Sequence, residues 1–171
     1  MGMFDKLFGS KKHSRPEAVA ATTEKGAVCS PAAGRVEVTD QIPDPVFAGE
    51  AMGKTVAVWP ETGDVFAPIS GTVASAMPHA FGIAGDDGVE VLVHVGVDTV
   101  SMNGDGFQVW VKAGDHVSAG DAILTFSKDK VAKAGYKDII MTIITNSDDL
   151  ASIEKVAEGT VAAGDKIMQT A

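Results

Sequence analysis

The sequence predicts an all-β protein, an antiparallel β-sandwich built on a duplicated motif, with short helical segments. Three observations carry that reading. The chain is rich in turn formers, with 19 Gly and 7 Pro in 171 residues. A strand motif, V-x-x-P-x-x-G-x-V, occurs twice, 37 residues apart, at Val28/Val65, Pro31/Pro68, Gly34/Gly71 and Val36/Val73. A hairpin-like unit also occurs twice, as Gly114–Asp121 and, one residue shorter, Gly159–Asp165. Each copy reads as a short strand and a Gly-Asp turn feeding another apolar strand, Ala122–Phe126 or Lys166–Met168.

Along the chain, residues 1–25 stand apart from residues 26–171, which form the domain. Met3, Phe4, Leu7 and Phe8 share one helical face beside Lys6, Lys11, Lys12 and His13. This amphipathic segment suits peripheral contact of residues 1–12 with an anionic membrane. Position 6 is Lys rather than Ser or Thr, so the Met-Gly start is no myristoylation signal. Residues 14–25 read as a linker. Beyond the repeats, Ser127–Ala134 and Ser147–Val156 are candidates for short helices; the rest is strand and turn.

The bulk numbers bound the function. The chain is long enough for one domain with a real core. A formal charge of −9 argues against a nucleic-acid partner and favours basic protein partners. Cys29 is the only cysteine, which rules out an internal disulfide and fits a reducing compartment. No apolar run approaches the roughly 20 residues needed to span a bilayer, and the N-terminus has no long apolar signal core. A cytoplasmic protein is expected.

The chemistry concentrates in Gly88–Val100. Period-2 alternation puts the five valines from Val89 to Val97 on one face, and Leu92, His94 and Gly96 on the other. Such a strand is covered on both faces, and a histidine in it is either a hydrogen-bonded core group or a ring held for chemistry. Burial would keep that imidazole neutral and nucleophilic. A second histidine, His79, precedes the strand in Pro78-His79-Ala80-Phe81-Gly82. A pair of this kind fits phosphoryl transfer or metal binding. Two imidazoles supply half of a tetrahedral zinc site, so a zinc held by His79 and His94 would be shared with a partner. His116 lies in the Gly114–Asp121 unit and His13 in the tail, both expected to face solvent.

The block Gly88–Val100 resembles the signature of the glucose-type enzyme IIA phosphocarriers of the bacterial phosphoenolpyruvate-dependent sugar phosphotransferase system. Asp44-Pro45-Val46-Phe47-Ala48, His79-Ala80-Phe81, Asn103-Gly104-Asp105-Gly106-Phe107 and Thr145-Asn146 follow the family's order, so the resemblance runs from about residue 26 to the C-terminus. It implies a barrel-sandwich hybrid that pairs two half-barrel motifs. It further implies that His94 is the phosphoacceptor, taking phosphate from the carrier protein HPr and giving it to a sugar-specific IIB domain of a IIB/IIC permease. Nδ1 of His94 would be held by the backbone of Gly96. His79 would stabilise the transferring phosphoryl group, its loss sparing phosphorylation but blocking onward transfer. Val46, Phe47, Phe81 and Val100 would ring the site as a docking face, with Asp44 and Asp98 at its rim. Regulated transporters or kinases are further partners among relatives. No cofactor is required. One departure concerns His79: Met77 stands where relatives commonly have a threonine that orients the ring. Asp98, about 13 Å from His94 on a straight strand, would approach that ring only if the strand bends at Gly96.

Three rival classes are tested by the same residues. A zinc-dependent hydrolase of related β fold needs an H-x-H or a further H-x-x-x-D set to supply a third ligand and a base, and no such further set stands in the sequence. A lipoyl or biotinyl carrier needs a lysine flanked by small or methionine residues at a hairpin tip, which Lys128-Asp129-Lys130 does not provide. A regulatory binding module that never carries phosphate leaves His94 and its surroundings without a purpose.

Overall fold

The computed structural model describes residues 14–171. The amphipathic segment expected at residues 1–12, and His13, lie outside the described residues. In chain order the elements are β1 (Ala27–Cys29), β2 (Gly34–Glu37), a one-turn helix α1 (Pro45–Ala48), β3 (Lys54–Pro60), β4 (Asp64–Phe66), β5 (Gly71–Met77) and β6 (Ala80–Gly85). They continue as β7 (Glu90–Val97), β8 (Phe107–Val109), β9 (His116–Val117), β10 (Ala122–Phe126), α2 (Lys128–Lys133), β11 (Lys137–Ile144), β12 (Ile153–Lys155), β13 (Thr160–Val161) and β14 (Lys166–Thr170).

Three antiparallel sheets result, none closed into a barrel. The large one is eight-stranded in the order β13-β2-β3-β11-β7-β6-β5-β9; the small ones are β1-β14-β12 and β4-β10-β8. The main core lies between them, filled by Val28, Val65, Phe81, Val93, Ile123, Leu124, Ile140 and Ile167 among others. Ile42, Phe47, Ala57, Ile139, Met141 and Ile143 form a second apolar cluster. Alternation sends Ile140 and Ile144 of β11 into the main core and Ile139, Met141 and Ile143 into the second, so the centre of the large sheet is covered twice. This is why β7 and β11 read as nearly continuous apolar runs.

The duplication is built into the hydrogen bonding. Cys29 N–H donates to Pro68 O and Phe66 N–H to Pro31 O, both at 2.8 Å, so the two motif copies grip each other reciprocally. Each copy then meets its own Gly-Asp turn in the same way. Gly120 N–H donates to Ala67 O and Gly164 N–H to Ser30 O, both at 2.9 Å. In return, Ala67 N–H donates to Asp121 O and Ser30 N–H to Asp165 O.

Two expectations change. Residues 14–25 are not a free linker but a strap laid across both Gly-Asp turns. Val19 N–H donates to Gly120 O at 2.9 Å, Thr22 N–H to Gly164 O at 3.3 Å, and Arg15 Nε to Ala122 O at 3.0 Å. The two turn glycines have left-handed φ of +94° and +93°, and a Cβ on either would lie 2.3 or 2.1 Å from a strap carbonyl. A backbone that must be approached this closely is available for docking only because both turns carry Gly. The second change concerns Ser147–Val156, which holds one 3₁₀ turn, Ser147–Asp149, before the chain becomes β12 and pairs with β14. Edge pairing in the small sheet outcompetes a helix too short to hold itself. The helix expected at Ser127–Ala134 is present as α2, capped by Ser127 Oγ accepting from Lys130 N–H at 3.1 Å. Among the described residues no helix is long and apolar enough to cross a membrane.

Candidate active site

Alternation along β7 points Val91, Val93 and Val95 into the main core and sends Leu92 and His94 to the opposite face. It breaks at Gly96. The pairing with β11 slips between Lys137 and Ile140, and Gly96 takes a left-handed φ of +82°. A Cβ there would lie 2.4 Å from Thr99 Cγ2 and 2.8 Å from Lys137 O, so the turn accepts only glycine. Beyond it Val97 joins Leu92 in the second cluster, and Asp98, with φ of +63°, turns the chain into a 3₁₀ turn at Thr99–Met102. The buried Thr99 hydroxyl donates back to Val95 O, closing this corner.

The bend places the Gly96 carbonyl beside the half-buried His94 ring, 2.9 Å from Nδ1. Since a carbonyl only accepts, Nδ1 carries the proton and Nε2 keeps its lone pair. Burial pushes the His94 pKa below its usual value, against an opposing pull from the Gly96 carbonyl; His79 adds to the lowering, while Asp44 and Asp98 oppose it. Burial therefore favours the neutral ring.

His79 arrives from the neighbouring hairpin. Pro78 and His79 form the two-residue connection between β5 and β6, whose flanking residues Met77 and Ala80 pair. Ala80 pairs with His94 across the β6–β7 ladder, and Val95 N–H donates to His79 O at 2.7 Å. The two imidazoles meet with centroids 5.2 Å apart and planes at 76°. Burial alone lowers the His79 pKa. Phe47 closes another side of His94, its ring centroid 5.0 Å away. It is delivered by α1, which starts at Asp44: the carboxylate accepts from Val46 N–H at 2.8 Å, and Pro45 occupies the first helical position.

The structure therefore brings together His94, His79, Gly96 and Phe47, with Asp44 and Asp98 near enough for their charge to act on His94. Val46 and Val100, on the elements beside Phe47 and Thr99, are 46% and 57% exposed and offer apolar surface. Phe81 differs from expectation. It pairs with Val93 and shares its face, so its ring is 0% exposed in the main core and presents nothing to a partner. Met77 is exposed and leaves His79 without the orienting hydroxyl. Thr99 is the residue the sequence reading passed over, although it stands inside the quoted Gly88–Val100 block. Thr145-Asn146 serves the start of β7: Asn146 Oδ1 accepts from Glu90 N–H at 2.9 Å and its Nδ2 donates to Gly88 O at 2.8 Å. His116 is exposed as expected and meets Asp86 at 2.9 Å. Among the described residues no group of three His, Cys, Asp or Glu is arranged to hold a metal ion.

A neutral, tautomer-fixed imidazole beside a second imidazole, under an apolar rim, is equipped to accept and release a phosphoryl group. Known proteins similar to this chain identify its family. Residues 26–150 match the family model described as "phosphoenolpyruvate-dependent sugar phosphotransferase system, EIIA 1". The glucose-specific EIIA component of Halalkalibacterium halodurans is 37% identical over 98% of this chain and 97% of its own length. That of Staphylococcus aureus (strain COL) is 38% identical over 95% of each. A beta-glucoside-specific EIIBCA component from Dickeya chrysanthemi is 41% identical over 90% of this chain, which covers 25% of that longer protein. In structure, glucose permease IIA from Mycoplasma capricolum matches with a TM-score of 0.75 and 35% identity, covering 83% of this chain and 93% of that one. The chain belongs to the EIIA 1 family of the phosphoenolpyruvate-dependent sugar phosphotransferase system and is a phosphocarrier of that system.

Proposed function

We propose that His94 is the residue that carries the phosphate. The Nδ1 contact with the Gly96 carbonyl, 2.9 Å, is the observation that supports this most directly, because it leaves Nε2 as the free nucleophile. The Nε2 lone pair attacks the phosphorus of a phosphohistidine on HPr. The new N–P bond forms as the donor's N–P bond breaks, and the bonding electrons return to the donor ring. Onward transfer to a IIB domain repeats the step with His94 as the leaving group. His79, 5.2 Å from His94 by centroid, is placed to hydrogen-bond the phosphoryl oxygens as charge spreads over them.

Val46, Phe47 and Val100 exclude water around the ring, the first and last of these by packing on the partner. Asp44 and Asp98 steer basic side chains of HPr toward the rim. The sugar is glucose or a related one, as in the relatives' names, and the carrier works in the cytoplasm beside its permease. The scheme needs only phosphate and imidazole. A zinc at His79 and His94 would have two protein ligands here and draw the others from a partner surface.

The test is intact mass after incubation with phosphoenolpyruvate, enzyme I and HPr. One acid-labile phosphoryl group should be gained by the wild type and none by His94→Ala. A wild type that gains no mass, or a His94→Ala that gains it equally, removes the proposal.

A further inference from the structure

No side chain among the described residues hydrogen-bonds the His79 ring, yet the ring sits at a defined angle to His94. We infer that the turn Asn103–Gly106 is the positioning element for His79, acting through a contact between Gly104 and Pro78. This rests on the reading that His79 assists the transfer. Favoured two-residue hairpin connections take positive φ at one or both central positions. Pro78 locks φ near −65°, and His79 is not among the residues of positive φ. The tip of the β5–β6 hairpin therefore takes its place from its neighbours, and two neighbours hold it. Val95 N–H holds the His79 carbonyl, at 2.7 Å. The second is the turn: Gly104, with φ of +83°, brings bare backbone against the proline ring, so that a Cβ there would lie 3.3 Å from Pro78 Cγ and 3.6 Å from its Cβ.

The turn is itself well anchored. Phe107 N–H donates to Gly104 O and Asp105 N–H to Met102 O, both at 3.0 Å, while Ser127 N–H donates to Gly106 O at 2.8 Å. Lys130 Nζ meets Asp105 Oδ1 at 2.7 Å. Upstream, the same segment begins with Val95, Gly96 and Thr99, the corner that holds the proton of His94 Nδ1. One continuous stretch, Val95–Phe107, thus grips the acceptor ring at one end and seats the second ring at the other. Backbone packing thus places the Cα from which the His79 ring projects, with no hydroxyl supplied from position 77.

The experiment uses the full chain carrying Pro78→Gly or Gly104→Ala, with thermal unfolding recorded for each. Phosphoryl uptake from phospho-HPr and discharge to a IIB domain are measured separately, and the imidazole ¹⁵N and ¹H resonances of both histidines are followed. Uptake should stay within about twofold, whereas discharge should fall about tenfold, since a misplaced group loses its effective concentration. The His79 resonances should move while those of His94 keep their Nδ1–H pattern. Unchanged discharge together with unmoved His79 resonances in Pro78→Gly, which adds no atom to the contact, overturns the inference. His79→Gln is the companion variant: if it discharges at the wild-type rate, the role given to His79 fails, and the seating of the ring is then judged by the resonances alone.

Discussion

Burial and one carbonyl set the protonation of the His94 ring. Its pKa lies below the ordinary histidine value of 6.5 because burial penalises the cation. The sign of the pH effect on stability follows. Above about pH 6.5 the ring is neutral in both folded and unfolded chains and contributes no pH dependence. As pH falls below that value the unfolded chain takes up the proton first, and stability drops until the folded-state pKa is passed. His94→Gln should therefore lose less stability than the wild type between pH 7 and 5, as read from denaturant unfolding at each pH; equal losses would show that the ring is not shifted. Gly96→Ala should cost about 2 kcal/mol or more in the same assay, from its left-handed φ and the crowding against Thr99, and it should slow phosphoryl uptake by moving the carbonyl off Nδ1. At this scale the sequence was most legible where alternation held. The buried valines and His94 on the opposite face follow from period 2 alone. Asp98 was harder to place, because its approach to His94 depends on a bend that only the φ of Gly96 reveals. Phe81 went astray because its place on the docking face was carried over from the family resemblance; its pairing with Val93 puts it inside.

The element that shapes the approach to the pair is α1, four residues long and too short to persist alone. Its cap and its proline hold it, and it turns Phe47 inward while Val46 faces out. Asp44→Ala should cost about 1 kcal/mol through loss of the cap, seen as a lowered denaturant midpoint. Val46→Ala should leave that midpoint within about 0.5 kcal/mol of wild type and raise the KM for phospho-HPr with little change in kcat, as expected of a residue that contacts only the partner. The helix at Pro45–Ala48 was not expected from the sequence, although the Asp-Pro pair at residues 44 and 45 is a start signal for it, whereas nothing in Ser147–Val156 announces that β14 will claim Ile153–Lys155 as a strand. Local propensity and caps are written locally; a pairing between distant edges is not.

For the molecule as a whole, the duplication was legible and proved to be a matched set of hydrogen bonds, because each copy needs the same Pro, Gly and Asp to make the same contacts. The strap was not legible. Its Ala-rich sequence, Ala18-Val19-Ala20-Ala21, carries no pattern; what receives it is a pair of glycines roughly 100 and 140 positions away. Gly164→Ala, which sets a Cβ 2.1 Å from Ala20 O, should loosen the strap. Cys29 reports on this. Its thiol is buried and donates to Thr22 O at 3.4 Å, and burial pushes its pKa up. Native-state alkylation of Cys29 should accelerate about tenfold in Gly164→Ala, the size of effect expected from about 1–2 kcal/mol of local loosening. An unchanged rate would mean that the strap does not guard the thiol.

The strap and β1 also impose an order of assembly during translation. Strand β1 pairs with β14 alone, and Thr22 reaches Gly164. Both partners lie roughly 140 residues downstream, so the strap and β1 wait for segments made much later than themselves. Until β14 leaves the ribosome, β1 lacks its strand partner, Thr22 lacks Gly164, and Cys29 has only its backbone bond to Pro68. Its closure to thiol reagents, timed on stalled nascent chains of increasing length, dates the moment at which the two halves become one protein.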